Sequence, residues 1–192
     1  MQGASLTLRD IACRRGDNLL FRGLSFALVG GQALHLTGAN GIGKSSLIRI
    51  IAGLLPAYRG SVEREGAVAL LDERPALDPH LPLGRALAFW QRLDGPEDNQ
   101  AARLGLSDLM DVPVRYLSTG QKKRAALARL IGQRAPLWLL DEPLNGLDAK
   151  GVALVETLVA EHCRGGGICV IASHQPISLA DVRRLAIADH AA

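Results

Sequence analysis

The stretch from Ala33 to Gly53 constrains this chain most. Ala33-Leu34-His35-Leu36-Thr37 is a short apolar strand, Gly38-Ala39-Asn40-Gly41-Ile42-Gly43-Lys44-Ser45 is a glycine-rich loop, and residues 44–52 read as a helix closed by Gly53. The spacing G-x-x-x-x-G-K-[ST] between a strand and a helix is that of a phosphate-binding loop. Its backbone N–H groups and the positive end of its helix cradle phosphate oxygens. On this reading Gly38, Ala39, Asn40, Gly41, Ile42, Gly43, Lys44, Ser45 and Ser46 hold the nucleotide. Lys44 reaches the β- and γ-phosphates, and Ser45 offers its hydroxyl oxygen to Mg²⁺.

Hydrophobic patterning extends this frame. Apolar or alternating runs predict strands over residues 5–11, 24–29, 61–63, 68–71, 137–140, 168–172 and 185–187, with a turn at Arg15-Gly16-Asp17. Helices are expected over residues 118–131 and 149–163. Between 72 and 116 the chain changes character: Pro75, Pro79, Pro82, Pro96 and Pro113 punctuate short helical stretches over 85–93 and 98–104. Strands alternating with helices predict an α/β fold with a mainly parallel sheet and helices on its faces. The 192 residues suit a single domain over 1–192, with a helical lobe over about 72–118 inserted in its core.

Composition narrows the possible functions. Hydrophobic residues make up 48% of the chain and aromatics 4%, so a sizeable core is built mostly from Leu, Ala, Val and Ile. The net charge is +3 with both signs interspersed, which reads as a solvated surface and not as a nucleic-acid footprint. Cys13, Cys163 and Cys169 are scattered and show no C-x-x-C spacing, which argues against disulfides or zinc and for a reducing compartment. No C-x-x-C-H occurs, so the chain does not itself attach haem covalently. Residues 1–10 lack the apolar stretch of a signal peptide, and no apolar run reaches membrane-spanning length. The expectation is a soluble or peripheral protein.

Three further motifs carry chemistry. The apolar run Leu137-Trp138-Leu139-Leu140 ends in Asp141-Glu142-Pro143. A buried strand of this kind ends at the ligand-binding edge of the sheet. There Asp141 would orient Mg²⁺ through its water shell, and Glu142 would polarise the attacking water. Ser173-His174 follows the strand 168–172 at the same edge, which favours a γ-phosphate contact for His174. His35, His80, His162 and His190 lack such a context and read as structural or surface residues. Leu117-Ser118-Thr119-Gly120-Gln121 opens a helix, and Ser118 with Gln121 forms a capping box. Yet Gly120 costs roughly 1 kcal/mol inside a helix, and Lys122, Lys123 and Arg124 crowd its positive end. Both features suit an incoming anion. Such a helix start has no job beside its own phosphate loop, so it is expected to face a phosphate held by another copy of the chain.

The order of phosphate loop, Leu117 to Gln121, Leu139-Leu140-Asp141-Glu142-Pro143, Asn145-Gly146-Leu147-Asp148 and Ser173-His174 resembles the ATP-binding subunit of an ABC transporter. That resemblance implies a RecA-like P-loop core with an N-terminal β-subdomain and an inserted helical subdomain. It also implies a head-to-tail homodimer holding two ATP molecules with Mg²⁺. Each would be gripped by the phosphate loop of one chain and by Ser118, Thr119, Gly120 and Gln121 of the other, with Asp148 in the loop between the sites. Arg14-Arg15-Gly16-Asp17, Leu20-Phe21-Arg22-Gly23-Leu24-Ser25-Phe26, Ala88-Phe89-Trp90 and Ser173-His174-Gln175-Pro176 are similar to the cytochrome c maturation, or haem exporter, members of that family. The narrower resemblance implies an ATPase at the cytoplasmic face of the bacterial inner membrane. It would be coupled to an integral membrane subunit and other cytochrome c maturation proteins during haem delivery. The haem would not touch this chain.

Three positions depart from the wider family. Thr119 stands where a glycine is usual. Leu71-Asp72-Glu73-Arg74-Pro75 stands where a glutamine is expected at the start of the helical lobe, and no aromatic lies near Arg15 to stack on adenine. An arginine over the base is worth about 1 kcal/mol or less when exposed. Two other functions fit the same motifs: the ATPase of another small exporter, and a soluble nucleotide switch of the same superfamily. The switch lacks support, because the chain carries neither coiled coil nor paired cassettes.

Overall fold

The structure, a computed structural model, describes residues 3–95 and 100–191. Among them the chain forms two sheets. An antiparallel sheet has the order β2-β1-β4, from β1 (Ser5–Arg15), β2 (Asn18–Val29) and β4 (Arg59–Glu65). A parallel sheet has the order β5-β6-β7-β3-β8. Its strands are β3 (Ala33–Thr37), β5 (Val68–Leu71), β6 (Leu137–Asp141), β7 (Ile168–Ala172) and β8 (Arg183–Ala186). The helices are α1 (Lys44–Ala52), α2 (Leu83–Asp94), α3 (Gln100–Arg103), α4 (Thr119–Gly132) and α5 (Ala149–Arg164). The fold is α/β, as expected.

The central strands are apolar on both faces, so each face must be covered. Along β6, Leu137 and Leu139 join one core with Leu47, Ile48 and Ile51 of α1 and with Leu6, Leu8, Leu24 and Phe26 of the antiparallel sheet. Trp138 and Leu140 point the other way, into a core with Leu127 and Leu130 of α4 and Val155 and Leu158 of α5. Burying each such Leu or Ile contributes about 1.5–3 kcal/mol. Asp141, Ala172 and Leu36 align in one row across β6, β7 and β3, so three neighbouring strands end at the same level.

Several boundaries differ from the sequence reading. β1 and β2 run to a tight turn where Arg15 pairs Asn18, beyond the expected ends at 11 and 24. Their polar residues belong to a hairpin whose backbone pairing continues through them. A bulge at Asp10 (φ 50), with its N–H on Ser25 Oγ at 2.8 Å, absorbs the break in alternation. The last strand is Arg183–Ala186, two residues earlier than expected, and residues 187–190 form a 3₁₀ turn. Parallel pairing to β3 (Leu34 with Arg183, Thr37 with Ala186) sets that edge strand, not its hydrophobicity. Of the expected helix 98–104, residues 98 and 99 lie outside the described residues, as does Pro96; α3 occupies Gln100–Arg103, and Leu104 lies in the turn after it.

His162, near the end of α5, stacks on Trp138 with ring centroids 3.9 Å apart. Its Nε2 lies 3.2 Å from both Pro136 O and Ile168 O. Burial lowers its pKa below the ordinary 6.5, against smaller opposing contributions from those carbonyls. The unfolded chain therefore binds more protons than the folded one between the depressed value and 6.5. Stability should fall as pH drops through that window. Melting curves from pH 8 to pH 5.5 should show a shallower loss for His162→Phe than for the parent; equal slopes would exclude His162 as a source.

Candidate active site

The site forms where β3, β7 and β6 end side by side. Gly38 to Gly43 leave β3 and α1 begins at Lys44, capped by Gly43 in a left-handed conformation (φ 114) without any side-chain cap. A Cβ on Gly43 would lie 2.8 Å from the Phe21 ring, so both backbone and space require glycine there. The N–H groups of this uncapped helix start suit an anion. Ala39, Asn40 and Gly41 are exposed, while Lys44 is buried.

Lys44 Nζ donates to Gly38 O (2.8 Å) and Ala39 O (3.2 Å) and lies 3.7 Å from Glu142 Oε1. The other carboxylate oxygen, Oε2, is 2.9 Å from His174 Nδ1. Glu142 thus bridges the cation of the phosphate loop and the histidine after β7. Ser45 Oγ donates to Asp141 Oδ1 at 2.9 Å. Burial raises the Asp141 pKa most; the Ser45 hydrogen bond opposes this, and the Glu142 charge adds to it. A buried carboxylate held next to a hydroxyl suits a hard cation. Among the described residues no three His, Cys, Asp or Glu side chains cluster as a metal cage. Mg²⁺ in nucleotide sites takes one or two protein ligands plus phosphates, so the pair Ser45 and Asp141 fits it. Burial raises the thiol pKa of Cys13 on β1, and Ser46, the residue after Ser45, partly opposes this. His35 is structural, as read: its Nε2 lies 3.2 Å from Ser173 O, under the turn that presents His174.

Ser118 to Gln121 lie elsewhere. The capping box is formed, with Gln121 N–H on Ser118 Oγ (3.2 Å) and Ser118 N–H on Gln121 Oε1 (2.8 Å). These residues line a groove of about 750 Å³ with Gly146, Asp148 and Arg124. Among the described residues, none from 38–46 lines it. Asp148 caps α5, accepting from Gly151 N–H at 2.8 Å.

Two features have causes inside the chain that the sequence did not reveal. A Cβ on Gly120 would lie 3.2 Å from Gly146 O, and one on Gly146 (φ 77) 2.6 Å from Thr119 Cγ2. The close approach that needs Gly120 is therefore to its own neighbouring loop, and Thr119 packs its methyl on Gly146. The three cations in the early turns of α4 are also satisfied internally. Lys122 Nζ bonds Arg115 O at 3.2 Å, Arg124 bonds Leu104 O at 3.0 Å, and Lys123 bonds Glu142 O at 3.0 Å. They offset the helix dipole by donating to carbonyls, so the crowding of charge does not by itself call for an anion. One missed signal was readable: Lys123 stands four and seven residues before Leu127 and Leu130, on the buried stripe of α4. Tyr58 was missed as well. It is distant in sequence from Arg14, yet the Arg14 guanidinium sits 5.0 Å over its ring.

Residues 21–145 match the ABC transporter family. The cytochrome c biogenesis ATP-binding export protein CcmA of Novosphingobium aromaticivorans is 61% identical over 97% of this chain and 97% of its own length. The chain belongs to the ABC transporter family, and within it to the CcmA proteins. The CcmA of Zymomonas mobilis is 50% identical over 96% of this chain and 85% of its own. Among solved ABC structures, cbiO1 of Clostridium perfringens, described as part of the ABC transporter complex cbiONQ, aligns with a TM-score of 0.73 at 23% identity, over 91% of this chain and 80% of that one. An ABC transporter ATP-binding cassette in its ADP conformation aligns at 0.72 and 22% identity, over 90% of this chain and 82% of that one. These two neighbours support the ABC ATPase fold. Among the described residues of this CcmA-family chain, no helix is long and apolar enough to cross a membrane.

Proposed function

We propose that this chain is the ATP-hydrolysing subunit of an ABC complex in c-type cytochrome biogenesis, working as a homodimer against an integral membrane subunit. The observation that carries the chemistry is the convergence of Lys44, Glu142 and His174 at one sheet edge, with Glu142 within 3.7 Å of Lys44 and 2.9 Å of His174. The name shared by the relatives favours a role in cytochrome c biogenesis over another small exporter.

Each residue has a role in this reading. The loop from Gly38 to Ser46 binds the phosphates through backbone N–H groups, and Lys44 turns from the Gly38 and Ala39 carbonyls to neutralise the β- and γ-oxygens. Ser45 and Asp141 would hold Mg²⁺, which would neutralise phosphate charge. Glu142 orients the water and accepts its proton, and His174 fixes the Glu142 carboxylate and meets the γ-phosphate. Ser118, Thr119, Gly120, Gln121 and Asp148 complete the site on the partner chain. The helical lobe over about 72–118 meets the membrane subunit, so the protein works peripherally at the cytoplasmic face of the inner membrane beside other maturation proteins.

A mixing experiment tests the composite site. Neither Ser118→Arg nor Lys44→Ala homodimers should turn over ATP. A mixed dimer of the two keeps one complete site, with Lys44 from one chain and Ser118 from the other, and should recover measurable activity. Inactivity of every mixed dimer, with pairing proven by differential tags, would exclude sites built from two chains.

A further inference from the structure

Lys123 is the buried cation that the proposed mechanism leaves unused. It is 9% exposed, on the core-facing stripe of α4, and its Nζ donates to the backbone carbonyl of Glu142 at 3.0 Å. Among the described residues it has no carboxylate within ion-pair distance. Glu73, Asp141, Asp72 and Glu142 nevertheless act on it through their charge, and this attraction opposes the cost of its burial. Glu73 and Asp72 stand in the segment where the wider family carries its glutamine.

The partner of this hydrogen bond is unusual. Glu142 has φ 47, a left-handed conformation that is unfavourable for a residue with a Cβ. Its N–H is held by Ala172 O at 2.8 Å, and its C=O accepts from Lys123 Nζ at 3.0 Å and, more weakly, from the Asn145 N–H at 3.4 Å. With both backbone polar groups fixed, the side chain is aimed between Lys44 and His174. We propose that Lys123 is a positioning residue: it holds the Glu142 peptide in its left-handed turn. It thereby ties the start of α4, which carries Ser118 to Gln121, to the carboxylate of the same chain's own phosphate site. The inference rests on the reading of Glu142 as the base. It also gives the chain a link between its two ATP-facing surfaces that needs no glutamine at the start of the lobe. A shift of the α4 N-terminus is passed to Glu142 through one hydrogen bond.

Purified full-length chain carrying Lys123→Met, Lys123→Arg or Glu142→Gln tests this by steady-state ATPase assay and by titration with a fluorescent ATP analogue. Met matches lysine in length and helix propensity but removes the shorter of the two hydrogen bonds to the Glu142 carbonyl, leaving only the Asn145 N–H at 3.4 Å. Lys123→Met should lower kcat about tenfold or more while analogue affinity stays within about twofold. Lys123→Arg, which keeps the donors, should return kcat to within about threefold of the parent. The inference is overturned if Lys123→Met turns over like the parent, if kcat and affinity fall together, or if Lys123→Arg is as slow as Lys123→Met. An active Glu142→Gln variant would instead remove the reading of the base itself. An inactive Glu142→Gln beside an unimpaired Lys123→Met would remove only this inference.

Discussion

Glu142→Gln should slow ATP turnover by about a hundredfold or more, the usual cost of losing a general base, and should leave ATP bound between two chains. Gln keeps the shape and the contacts available to Lys44 and His174, but it cannot take a proton from water. The geometry explains why binding should tighten. Glu142 Oε1 lies 3.7 Å from Lys44 Nζ, so the carboxylate competes with phosphate for that ammonium and repels the γ-phosphate. The neutral amide competes more weakly and carries no charge to repel the phosphate. Light scattering of the variant with ATP should report a dimer. A monomeric profile with ATP, together with turnover like the parent's, would exclude Glu142 as the base.

The parts of the site legible in the sequence share one property: their chemistry is set by local spacing. Gly38 to Ser45 needs a strand before it and a helix after it, and both lie within twenty residues. Asp141-Glu142 is legible because an apolar run that ends in carboxylates has to stop at the ligand edge of a parallel sheet. Strand order brought His174 to the same place; β7 lies between β6 and β3, and no local pattern says so. The features misread depend on packing at a distance. Gly120 looked like a glycine cleared for a ligand, but Gly146 O occupies the space beside it. Lys123 reads as one of three cations crowding the helix start, although its spacing to Leu127 and Leu130 puts it on the buried face. The edge strand β8 was displaced because exposed Arg183 and Arg184 carry no hydrophobic signal, while pairing to β3 fixes their register.

Lys44→Ala should abolish measurable turnover and should weaken nucleotide binding as well, which separates it from Glu142→Gln. Lys44 is 6% exposed, and its ammonium serves three acceptors: the carbonyls of Gly38 and Ala39 and the Glu142 carboxylate. Removing it strips the loop of its only side-chain cation and leaves Glu142 and buried Asp141 with only the more distant Lys123 and Arg49 as counter-charge. Breaking one side of a buried charge pair costs about 3–5 kcal/mol when nothing else compensates. His174 on the second oxygen of Glu142 and the open side of the cleft reduce that cost for the folded state. The melting temperature should therefore fall modestly while ATP affinity and kcat collapse. Lys44→Arg separates charge from shape. The planar fork of arginine does not replace a compact ammonium among two carbonyls, so turnover should stay abolished while stability returns toward the parent. Near-normal ATPase activity in Lys44→Ala would exclude the loop from Gly38 to Ser45 as the phosphate site, and with it the placement of Glu142 and His174 around the γ-phosphate.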